Sequence, residues 1–153
     1  MVNFVGNEMD SSDDSRDETE IRALIGAHFE GLKWSPSTQP DWETFSADFL
    51  PNALLFPAAR PVQAKPLDAF IERMNKVAKG TLHTFEEHTL GMQILVFGNV
   101  AVVLAASEML ENGTEVNHDV SGYLLVKSEG CWRIAAHAWD KATEQRPVPQ
   151  HLR

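Results

Sequence analysis

The sequence predicts an α+β fold, with helices first and an antiparallel sheet after them, from three observations. Apolar residues recur at helical spacing through the N-terminal half, between Ile21 and Val77. From residue 81 onward they run instead in strand-like blocks. Those blocks are parted by short turn signals, "FGNV", "ENGT" and "KSEG". Helices followed by consecutive strands place the helices on one side of the sheet.

In the first helix Ile21, Leu24, Ile25, His28, Phe29 and Leu32 share one face, and Ser15 with Glu18 forms a capping-box pattern at its start. After "KWSPSTQP", Pro40 suits the first position of a short helix whose Trp42, Phe45 and Phe49 share a face, with Pro51 ending it. A third helix starts near Pro66, presents Leu67, Phe70, Ile71, Met74 and Val77, and stops at Gly80, a residue suited to a left-handed cap. Four long strands follow. Gly91 in "HTLGMQILVF" predicts a bulge or bend, and Asn112 with Gly113 predicts a type I′ hairpin. The last strand is "CWRIAAHAWDK".

A chain of 153 residues is near the usual size of one domain, here expected over residues 15–145. Within the first 20 residues seven acidic side chains stand against Arg16 alone, so −6 of the total charge of −9 lies there and −3 is left for the rest. Residues 1–14 are therefore expected to form a flexible acidic tail, and residues 146–153, with Pro147 and Pro149, an exposed one. An acidic chain without a basic patch is not expected to bind nucleic acid. Cys131 is the only cysteine, which excludes an intrachain disulfide and a cysteine metal cluster. No apolar run approaches the roughly 20 residues of a membrane span, and no secretory signal pattern opens the chain. A cytoplasmic protein without membrane association is expected.

The strand "VAVVLAASEML" is apolar on both faces, with Val100, Val102 and Leu104 on one and Ala101, Val103 and Ala105 on the other. An antiparallel strand of that kind needs cover on both sides. Helices supply one cover, and a second copy of the chain, packed on the outer face of the sheet, is expected to supply the other.

The order of helix, short aromatic helix, "LPNALLFP", third helix, "GNVAVVLAASE" and closing "GCWRI" resembles the nuclear transport factor 2-like superfamily, in particular its SnoaL-like, polyketide cyclase-like branch, over residues 16–142. The resemblance implies a cystatin-like α+β cone: a strongly curved sheet around the helices, commonly dimeric, with a pocket at one end. Its members include polyketide cyclases, ketosteroid isomerases, dehydratases, epoxide hydrolases and non-catalytic binding domains, so the fold does not name a reaction. The chain departs from the family pattern at Asn52, before Ala53, and at Ala64. It also carries an extra Ala138 inside the closing His-Trp-Asp group.

Low dielectric inside such a cone brings carboxylate and histidine pKa values into the working range, so in-phase titratable residues are the catalytic candidates. By strand alternation His118 shares the phase of Val116, Val120, Gly122 and Leu124 and is expected inside, with Asn117, Asp119 and Ser121 outside. Tyr123 is out of phase with His118, which argues against an isomerase built on a pocket tyrosine. In the last strand, Ile134 inward aims Asp140 at the pocket and His137 at the outer face; a bulge among the alanines reverses that. Asp140 or His137 as base and His118 as its partner form the catalytic expectation, for cofactor-free cyclase, isomerase or dehydratase chemistry. His28, Trp42, Phe45, Phe49, Phe56 and Met74 are the expected pocket walls for a small hydrophobic molecule. A purely binding or dimerising domain is the other reading.

In "HTFEEH", His83 and His88 face opposite ways on a strand, so no metal site is expected there. "NGT" at 112–114 matches a glycosylation acceptor but reads as hairpin chemistry. There is no phosphate-cradling glycine loop, G-x-S-x-G elbow or dinucleotide fingerprint, and no cofactor is expected.

Overall fold

The computed structural model describes residues 11–153. Its elements run α1 (Ser11–Gly31), α2 (Trp42–Ala47), β1 (Phe49–Phe56), β2 (Lys65–Pro66), α3 (Leu67–Lys79), β3 (Phe85–Phe97), β4 (Val100–Glu111), β5 (Glu115–Ser128) and β6 (Cys131–Lys141), closed by a 3₁₀ turn at Gln150–Leu152. The six strands form one curved, unclosed sheet in the order β2-β1-β6-β5-β4-β3. It is not wholly antiparallel, because β1 pairs with β6 in parallel.

The expected flexible tail falls outside the described residues over 1–10, and at residues 11–14 it is already helical. Asp13 and Asp14 occupy the first turn, where the helix dipole favours negative charge. Ser15 is therefore inside α1 and not its cap; its carbonyl accepts from Thr19 Oγ1. The buried stripe of α1 is the predicted one, with Ile21 and Ile25 fully buried, and Asp17 extends it by one turn. Asp17 accepts from Lys127 Nζ at 2.9 Å and Trp132 Nε1 at 3.0 Å, pinning α1 to β5 and β6.

Helix α2 starts at Trp42, so Pro40 lies before it and not at its first position; Asp41 caps it, its carboxylate accepting from the Thr44 amide at 3.1 Å. The helix ends at Ala47, so Phe49 and Pro51 belong to β1. Proline is tolerated there because pairing with β6 is interrupted between Phe49 and Leu54. Helix α3 has the predicted span, but Gly80 ends it with φ −89, not in the left-handed region. Its apolar face is only half-buried, including Phe70 and Met74.

Asn112 and Gly113 have φ 51 and 72, the positive values a type I′ turn requires at both central positions. The predicted bulge occurs at Leu90, where the β3–β4 register jumps from Thr89 to Gly91. Gly91 serves a second purpose: a Cβ there would lie 2.9 Å from the Leu152 carbonyl carbon and oxygen. The C-terminal segment is therefore not an exposed tail. Val148 and Leu152 are buried on the outer face against Ala106, Leu90 and Val120. No helix among the described residues is long and apolar enough to cross a membrane.

Candidate functional site

Within the curve of the sheet lies a cavity of about 210 Å³. α1 gives it His28, α2 Phe45, and α3 Phe70 and Met74; the inner face of the sheet gives it Glu87, Asp119, Ser121, Tyr123, His137 and Trp139.

The orientation of His137 is set by one bulge. Between β5 and β6 the register moves from Leu124↔Ala136 to Leu125↔Ile134, which leaves Ala135 unpaired. One extra residue flips every later side chain to the opposite face. Trp132 and Ile134 point in before the bulge, and His137 and Trp139 point in after it. Asp140 is thereby turned outward, where it meets Arg146 at 3.3 Å.

On β5 the observed phase is the reverse of the expected one. Asp119, Ser121 and Tyr123 face the cavity, while His118 stands on the outer face with its Nε2 2.9 Å from Glu108. His88 meets the same carboxylate at 3.5 Å from β3. Alternation was read there on the premise that apolar means inward. The outer face of β5 carries Val120 under the C-terminal segment and the exposed Leu124, whereas its inner face borders a cavity and tolerates polar groups. The argument against a pocket tyrosine falls with that premise.

Of the expected walls, His28, Phe45 and Met74 line the cavity. Phe49 is one layer behind, edge-on to the His28 ring at 5.1 Å. Trp42 lies behind Phe45, with its Nε1 donating to Asn75 Oδ1 at 3.1 Å. Phe56 borders an outer groove with Val120, Gly122 and Ala138. Sequence reasoning missed Asp48, Glu87, Asp119, Ser121, Tyr123 and Trp139. For Glu87 a signal existed: it sits two residues after Phe85, on the same face of β3.

Six cavity rings form a closed belt. Trp139 contacts His137 at 4.7 Å, His137 stacks on Tyr123 at 4.1 Å, and Tyr123 meets His28 edge-on at 6.3 Å. His28 stacks on Phe45 at 4.3 Å, Phe45 lies 6.0 Å from Phe70, and Phe70 returns to Trp139 at 5.9 Å.

His28 Nδ1 is 2.9 Å from Asp48 Oδ2. Asp48 is itself fixed: its amide donates to Phe45 O at the end of α2, and its carbonyl accepts from the Ile134 amide of β6 at 2.7 Å. Asp48 thus holds the Nδ1 side of a ring that lines the cavity. His137 is different. Burial, with His28 nearby, holds its pKa well below the usual histidine value, so it stays neutral. Its Nε2 and the Tyr123 hydroxyl are buried without hydrogen-bond partners, and burial pushes the Tyr123 pKa well above the usual tyrosine value.

The acids form a second group. Ser107, fully buried on β4, donates to Glu87 Oε2 at 2.9 Å. Burial outweighs that bond and, with Asp119 adding repulsion, pushes Glu87 up to about 8. Burial also pushes Asp119 up to about 6 against the pull of Lys141. Both are poised to exchange protons near neutrality.

Solved structures with the same architecture include hexachlorocyclohexane dehydrochlorinase LinA-type3 from Novosphingobium barchaimii, with TM-score 0.70 and 12% identity over 87% of this chain and 91% of that one. An NTF2-like protein of unknown function from Pseudomonas putida gives 0.69 and 15%, over 91% and 97%. A cystatin-like protein of unknown function from Nostoc punctiforme gives 0.67 and 14%, over 85% and 94%. The chain has the nuclear transport factor 2-like, cystatin-like fold. No family model and no curated protein matches it. The cavity inside this fold holds five titratable side chains, His28, Glu87, Asp119, Tyr123 and His137.

Proposed function

We propose that this protein binds a small hydrophobic molecule in the cone cavity and moves a proton within it using only side-chain groups, in a lyase- or isomerase-type reaction. The His28–Asp48 pair carries the reading. A histidine held at Nδ1 by a carboxylate, packed against Phe45 and Phe49, and lining the cavity has the arrangement a general base acting through Nε2 needs. Nε2 takes a proton from a carbon of the bound molecule. Glu87 or Asp119, protonated in part near neutrality, returns one to the oxygen or leaving group that gains charge. Loss of HCl in the dehydrochlorinase of the same fold is a chemistry of this class.

The test needs no natural substrate. Small aryl ketones incubated with the protein in heavy water should take up deuterium at the carbon beside the carbonyl, as read by mass spectrometry. His28→Ala should lower that rate by about 10²–10⁴-fold. Uptake unchanged in His28→Ala would remove His28 from the role, and no uptake from any ketone would argue for a binding domain.

The outer face supports a homodimer. Leu95, Val102, Leu124, Ala136 and Leu54 are successive cross-strand neighbours on β3, β4, β5, β6 and β1. At the usual strand spacing they make an apolar stripe about 20 Å long. Its members other than Ala136 are exposed, Leu95 at 63%. The C-terminal segment covers the region of Ala106, Leu90 and Val120 and leaves this stripe bare.

A further inference from the structure

Resting on the reading of the cone as a binding cavity, we propose that its ligand is an organic cation, a small hydrophobic amine whose ammonium group is held between Glu87 and Asp119 while its apolar body lies within the belt of rings. The placement of the acids points to this. Ser107 stands opposite Asp119 in the β4–β5 register and donates to Glu87, which lies diagonally across from it on β3, so the Ser107 side chain stands between the two acid-bearing strands. Both carboxyl groups face the cavity, and no lysine or arginine lines it. An anionic ligand would meet two acids and no counter-charge. A cation supplies the missing partner, and a buried carboxylate paired with an ammonium recovers through charge-assisted hydrogen bonds much of what burial costs it.

The walls fit the same chemistry. Phe85, stacked on Trp34 at 4.7 Å, lies two residues from Glu87 on the same strand face, and Trp139 pairs in register with Ser121, two residues from Asp119. Ring faces carry negative potential that attracts an alkylammonium. The charge around Asp119 is mixed, and that around Glu87 is negative. On Asp119, Glu111 of β4 and Asp140 of β6 oppose ionisation, while Lys141 of β6 and the adjoining His118 favour it. On Glu87 the charged neighbour is Asp119. α3 contributes only Phe70, Met74 and Val77 to the lining, and α1 contributes His28, Phe29 and Leu32. The whole chain carries −9, which concentrates cations around it.

Isothermal titration of the full chain with 2-phenylethylamine and with 2-phenylethanol, its uncharged counterpart, separates the possibilities. At about pH 8 the amine should bind at least about tenfold more tightly than the alcohol. Its affinity should fall several-fold by about pH 5, where both acids hold their protons, while the alcohol changes little. Glu87→Gln combined with Asp119→Asn should abolish the preference yet leave alcohol binding intact, and that binding also reports that the variant keeps its cavity. Equal affinity for the two probes, or a preference that survives the double substitution, overturns the amine assignment and leaves the apolar binding cavity standing. Binding of neither probe overturns both.

Discussion

Glu87 ties stability to the same burial that gives it a useful pKa. Its folded-state value is about 8, against an ordinary 4.5. Between those pH values the unfolded chain gives up the proton while the folded chain keeps it, so stability falls as pH rises from about 4.5 to about 8. The penalty is fully present above pH 8 and amounts to about 2–5 kcal/mol. Glu87→Gln keeps the shape and the Ser107 contact without the charge. Urea unfolding should show the variant more stable than the parent at pH 9 and little different at pH 4; equal midpoints at pH 9 would mean that Glu87 ionises without cost. His137 has the opposite sign: its lowered pKa withdraws stability as pH falls through the ordinary histidine range. At this scale His28, Phe45 and Met74 were legible because helical periodicity marks a face whatever lines it. His118 and Asp140 were misplaced because strand phase depends on which face is apolar and on every inserted residue. Asp48 was invisible, since its role comes from an approach between α1 and the end of α2 that no local pattern encodes.

Helices α1 and α3 and strands β3 to β6 could be read along the chain because each repeats its own period and is bounded by glycine, asparagine or proline. The short strands β1 and β2 could not. β1 is interrupted by Pro51 and owes its pairing to β6, whose partner residues lie more than eighty positions later in the chain. The prolines of the C-terminal segment predict an exposed tail, yet Val148 and Leu152 within it are buried on the outer face. Gly91 is the contact that makes this possible. Gly91→Ala would drive a methyl group against the Leu152 carbonyl, and an added methyl in a packed contact costs about 1–3 kcal/mol. The expected result is a lower unfolding midpoint together with faster hydrogen exchange at the Leu152 and Arg153 amides, whose bonds to Pro149 O and Gln150 O hold the final turn. Unchanged exchange at those amides would show that the segment is not seated through Gly91.

For the whole molecule, the two faces of the sheet explain why fold class was easier to read than function. Both faces of β4 are apolar, and composition alone says only that both require cover. The inner face is covered by α1 and the cavity walls, and the C-terminal segment takes the rows around Ala106. What stays uncovered includes the stripe through Leu95, Val102, Leu124, Ala136 and Leu54, continuous across five strands, with Val100 and Leu104 exposed beside it. Contiguous apolar surface of that kind suits the homodimer proposed above, since a two-fold axis lets the same stripe meet itself. Light scattering should therefore give twice the 17.1 kDa of one chain. Val102 is the residue to change, since it stands inside the stripe and is itself about half exposed. Val102→Lys puts a charge on the face without entering the core. It should shift the mass toward one chain while the far-ultraviolet circular dichroism stays that of the parent. A parent that already scatters as one chain at micromolar concentration would leave the stripe without its partner and remove the dimer.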